Sequence, residues 1–66
     1  MMEYTEKVKK RLEHWMEHNN KHMEEYKQLA DELKSNGLES ASKYILNLVE
    51  HTQNMNKEIE EALKNI

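Results

Sequence analysis

The sequence predicts an all-α protein: an antiparallel two-helix hairpin with coiled-coil-like packing that dimerises into a four-helix bundle. Three observations carry this. The 66 residues hold one Gly and no Pro, so a single place punctuates the chain. On both sides of it, apolar or special residues recur at alternating intervals of three and four, the pattern of a helical seam. When the chain is folded back about the Gly, the two stripes meet with an apolar residue in every layer but one.

The first helix is expected over about 4–34, with its stripe at Leu12, Trp15, Asn19, His22, Tyr26, Leu29 and Leu33. Ser35-Asn36-Gly37 follows as the turn over 35–37. A Gly after a periodic segment reads as the left-handed residue that ends a helix, with Leu38 packing back on Leu33. The second helix is expected over about 38–65, with its stripe at Leu38, Ala41, Ile45, Leu48, Thr52, Met55, Ile59, Ala62 and Ile66. Glu39 in its first turn suits the positive end of the helix dipole. So short a connection makes the helices antiparallel. Paired residues then have indices summing to about 74, as in Leu29–Ile45, Tyr26–Leu48, Trp15–Ile59 and Leu12–Ala62; His22–Thr52 is the one layer without an apolar member. The whole of 1–66 is one domain.

A lone hairpin of this length buries too little to be stable. A second stripe suggests the remedy. Met16, Met23 and Ala30 on the first helix, with Val49 and Leu63 on the second, form an apolar edge and are the expected dimer interface. If the dimer packs through the histidine edge instead, histidines of the two chains meet near the two-fold axis.

Composition excludes several classes. A chain this short does not wall off a deep cleft, so no enzyme is expected. Without Cys there is no disulfide, iron–sulfur cluster or Cys-ligated zinc. A net charge of −3 with interspersed signs argues against nucleic-acid binding. No apolar run approaches the ~20 residues of a membrane span, so neither membrane insertion nor a signal peptide is expected, and the chain reads as cytoplasmic. Its expected partner is a second copy of itself, or another protein. No organic cofactor is expected.

One cluster suggests chemistry. His14, His18 and His22 stand at i, i+4 and i+8, successive turns of one helix face. An i, i+4 His pair can chelate one metal ion. His51 on the second helix comes to the height of His22 when the hairpin closes. His18, His22, His51 and Glu25 are therefore candidate ligands for a Zn, Ni or Co ion, with Asn19 orienting an imidazole. A second reading uses the same residues as architecture: His22, Thr52 and Asn19 form a buried polar layer that fixes register in a pure oligomerisation or protein-interaction module. A third is a pH switch, in which protonated imidazoles disfavour the assembled form. Trp15, the methionines and the tyrosines read as packing residues, and Ser35, Ser40 and Ser42 have no base arranged beside them.

The residues Trp15, His18, Asn19 and His22, followed by Glu25-Tyr26 and Gly37-Leu38-Glu39, resemble a small uncharacterised prokaryotic helical-hairpin family with a W-x-x-H-N-x-x-H signature. Members stand alone or are attached to His-rich or cation-transport proteins. The resemblance covers about Leu12 to Leu63, and it implies a helical hairpin and a link to metal handling. The expected function is accordingly a non-enzymatic module that binds a divalent transition metal through its histidines, with the oligomerisation module as the alternative.

Overall fold

The computed structural model describes residues 2–66; Met1 lies outside them. Two helices account for nearly all of the chain, α1 over Met2–Ser35 and α2 over Glu39–Lys64. They pack side by side along their length in an elongated hairpin of 54 × 15 × 9 Å between Cα extremes.

The reversal has a local cause. Gly37 adopts φ +79°, a conformation that costs a residue with a Cβ but not glycine. It lets the Leu38 amide donate to the Leu33 carbonyl at 2.8 Å and the Gly37 amide to that of Lys34 at 3.1 Å. This pair of bonds is the Schellman arrangement, and it satisfies two carbonyls that the end of α1 leaves open. The Glu32 carbonyl accepts twice from Asn36, from its amide at 3.1 Å and from its side-chain Nδ2 at 2.7 Å. Leu38 stays 53% exposed at the start of α2. Glu3 and Glu39 in the first turns, and Lys34 and Lys64 in the last, match the dipole of each helix.

The seam between the helices is narrow and unusually polar. Ala30 and Val49 are its buried apolar residues; Ser42, Thr52 and Asn56 are buried beside them. Leu12, Met16, Met23, Tyr26 and Leu33 of α1 line it half-buried, as do Ile45, Ile59 and Leu63 of α2. No large side chain among the described residues is fully buried. Near the turn the helices approach closely because Ala30 and Ser42 are small. The Ser42 hydroxyl there donates across to the Ala30 carbonyl at 2.7 Å.

Here the structure corrects the expected packing. The residues assigned to the dimer edge are inside the hairpin: Ala30 is 1% and Val49 8% exposed in the single chain, with Met16, Met23 and Leu63 half-buried in the same seam. Half of the stripe expected to form the seam faces outward instead. Trp15 is 49%, Leu29 42%, Leu48 40% and Met55 54% exposed, and Ala41 and Ala62 are exposed with them. The physical reason is that each helix carries an apolar stripe three positions wide, while a two-helix seam uses two. The central row (Leu12, Asn19, Tyr26, Leu33; Ile45, Thr52, Ile59) belongs to either choice. The row with the smaller residues, Ala30 and Ser42, permits the closer approach, so it turns inward. The bulkier Trp15, Leu29, Leu48 and Met55 are left on one open face.

Register differs less from expectation. Asn19 bonds Asn56, and 19 and 56 sum to 75, one more than the expected value. Among the described residues no helix is long and apolar enough to cross a membrane.

The histidine ladder and the open apolar face

Two features of chemical interest share one side of the hairpin. The first is a ladder of rings on α1. His14 and His18 have ring centroids 5.7 Å apart at an interplanar angle of 30°; His18 and His22 are 5.1 Å apart, edge to face at 86°; His22 and Tyr26 stack at 6.0 Å and 15°. The helical repeat imposes the ladder, because residues four apart stand one above the other on successive turns. His14 and His18 are exposed and His22 half-buried.

The second feature is the open face. On α1 its central row is Val8, Trp15, His22 and Leu29; on α2 it is Ala41, Leu48, Met55 and Ala62. Both rows keep a seven-residue spacing and lie one position round from the seam, so both face the same side of the hairpin. His18 and Glu25 run along the outer rim of this face on α1. His51 and Glu58 run along the outer rim on α2. The opposite side of the hairpin is mostly polar, with Leu46 exposed among Lys34, Glu39 and Lys43. It carries a shallow, open hollow of about 570 Å³ lined by Glu13, Met16, Glu17, Asn20, Glu60 and Leu63.

Of the residues expected to ligate metal, the structure brings His18 and His22 together and leaves the others apart. Among the described residues, no three His, Cys, Asp or Glu side chains gather into a group that could hold an ion. The cause is lateral. His51 matches His22 in height, but by helical spacing His51 and Glu25 fall on opposite rims of the face.

The expected polar layer is rearranged as well. Thr52 is 7% exposed, yet its hydroxyl donates back to the Leu48 carbonyl of its own helix at 2.8 Å, and His22 takes its place in the ring ladder. The cross-helix polar layer is built from asparagines: Asn56 is buried, Asn19 half-buried and Asn20 exposed at its edge. Asn19 Nδ2 donates to Asn56 Oδ1 at 2.9 Å, and Asn56 Nδ2 donates to Asn20 Oδ1 at 3.1 Å. Among the described residues no buried side-chain polar atom lacks a partner. Sequence reasoning missed Asn20, Asn56 and Ser42. A signal was present for two of them: Ser42, Val49, Asn56 and Leu63 follow one another at intervals of seven, a row parallel to the one that was chosen.

A family model described as "Domain of unknown function (DUF8180)" matches residues 8–66, from the second turn of α1 through all of α2. The chain belongs to the DUF8180 family. An uncharacterised family was the expectation, and the match includes the ladder, the asparagine layer and the turn. No curated protein and no solved structure matches the DUF8180 hairpin.

Proposed function

We propose that the DUF8180 hairpin is a self-associating module, two copies of which close face to face into a four-helix bundle. The observation that carries this reading is the open apolar face with Trp15, Leu29, Leu48 and Met55 along it, each at least 40% exposed. Single exposed apolar residues are ordinary; a contiguous patch of this kind marks an interaction site.

Area argues that the occupant is a second copy. A compact monomer of 8.0 kDa has an accessible surface of about 4,450 Å² by the usual scaling with mass. The hairpin exposes 5587 Å², some 1,100 Å² more by that comparison. A specific interface removes about 600–1,000 Å² from each partner, so one face-to-face contact of this size brings the chain close to ordinary compactness. The interior argues the same way. Two buried apolar residues and three buried polar ones do not hold a 66-residue chain together alone, whereas a shared core would.

Sedimentation equilibrium with circular dichroism tests the proposal. The wild type is expected to be a helical dimer at tens of micromolar, an ordinary affinity for such an interface. Trp15→Glu and Leu48→Glu each put a charge at the centre of the contact and are expected to leave only monomer, with helicity reduced. A wild-type chain that stays monomeric and fully helical across that range would overturn it.

A further inference from the structure

We infer that association completes a transition-metal site, with His18 and His22 from one subunit and His51 from the other, in two copies per dimer. The inference rests on the self-association proposed above and adds to it a ligand class and an arrangement of the subunits.

The donor pair is already spaced for a metal. An imidazole nitrogen binds Zn²⁺ at about 2.0–2.1 Å, and the ring centre lies roughly 1.1 Å beyond. Two imidazoles on one tetrahedral ion therefore hold their centroids about 5.2 Å apart. His18 and His22 stand at 5.1 Å; His14 and His18, at 5.7 Å, fit less well. Two nitrogens do not make a selective site, and within one chain no third donor joins them.

A second copy supplies it, provided the two turns lie at the same end of the bundle. In that arrangement α1 of one subunit runs beside α2 of the other, level for level with the hairpin's own index sum of 75 set by Asn19 and Asn56. Residue 51 then lies level with residue 24, so His51 of the partner subunit stands within about one helical turn of His22 and Glu25 and about 9 Å along the axis from the level of His18, at 1.5 Å per residue. The rims His18–Glu25 and His51–Glu58, separated in the monomer by the width of the face, become neighbours across the interface. With the turns at opposite ends, α1 would lie on α1 and α2 on α2, so the His18–His22 pair would face its own copy and His51 only its own. The same-end arrangement is the one that sets the His18–Glu25 rim of one subunit beside the His51–Glu58 rim of the other. Three imidazoles with the Glu25 carboxylate suit Zn²⁺, Ni²⁺ or Co²⁺.

Subunit mixing tests this directly. Tag-free, chelator-stripped protein is titrated with Zn²⁺ and Ni²⁺ by calorimetry, with oligomeric state followed by sedimentation. Wild type is expected to bind one ion per chain, and to dimerise more tightly when it does. His18→Ala and His51→Ala both replace exposed side chains. Each variant is expected to dimerise still and to lose the site. An equimolar mixture should regain roughly a quarter of wild-type binding: random pairing makes half the dimers mixed, and each mixed dimer keeps one intact site. Variants that dimerise while their mixture binds no more than either alone would overturn the shared site and leave self-association standing. Unaltered binding in His51→Ala would overturn it too. A monomeric wild type, with or without metal, would remove both proposals.

Discussion

Asn56 accepts a hydrogen bond from Asn19 and gives one to Asn20 in the seam, between half-buried Ile59 and Leu63 and buried Thr52 on its own helix. Paired in this way, the three amides contribute about 1 kcal/mol per bond; unpaired, each buried group costs about 1–3 kcal/mol. Asn56→Ala removes the shared partner and leaves half-buried Asn19 without its cross-helix bond, while exposed Asn20 turns to water. We expect it to lower stability by about 1–2 kcal/mol, read as a fall in thermal midpoint by circular dichroism. Gly37 makes the opposite kind of demand. Nothing lies within 4 Å of where a Cβ would stand, so Gly37→Ala costs only backbone strain at φ +79°. That strain is about 1–2 kcal/mol, and the same melt should show it as a smaller, uniform loss with the dimer retained. The exposed Lys64–Glu61 pair at 3.6 Å is of another order: its removal should not move the midpoint measurably.

At the level of the helices, the sequence determines much of the hairpin and only part of its rotation. Gly37, the absence of Pro and the three-four spacing were enough for two helices, an antiparallel return and a register correct to within one residue. The choice between the two faces flanking the central row was not legible. It depends on how closely the backbones can approach at Ala30 and Ser42, and on whether amides on two helices can reach one another. Hydrophobic periodicity records neither. For the same reason the histidine ladder was readable, since one helix fixes it, whereas the relation of His51 to that ladder depends on which way each helix turns. A test belongs at this scale. Ser42→Leu forces a large side chain into the closest contact and removes the bond to the Ala30 carbonyl. Overpacking of this kind costs about 1–3 kcal/mol, and we expect the helices to pivot toward the alternative face. Cysteines paired at Trp15 and Ile59, which that pivot would bring together, would then crosslink within one chain more readily than in the parent.

For the molecule as a whole, shape and concentration are linked. The Cα radius of gyration is 15.6 Å, against about 11 Å for a compact chain of this length. Stacking a second hairpin on the open face adds mass beside the long axis at a helix spacing of about 8–10 Å, so the radius should rise by only about 1 Å while the mass doubles. Small-angle scattering over a dilution series would show that combination; end-to-end association would lengthen the particle instead. Because folding and pairing draw on one core, the thermal midpoint should climb with protein concentration, as it does when a partner binds only the folded form.

Trp15 is the chain's one tryptophan, and it stands half-exposed on the face that a second copy would cover, one turn from His18. The molecule thus carries a native optical gauge at the place where its questions meet. An indole leaving water should shift its emission to shorter wavelength, so dilution of unlabelled protein can be followed by colour alone. A paramagnetic ion such as Ni²⁺ seated at the nearby imidazoles should dim that emission, whereas Zn²⁺, with its filled d shell, should not. Pairing would be reported by wavelength and occupancy by intensity, from one residue and in one cuvette.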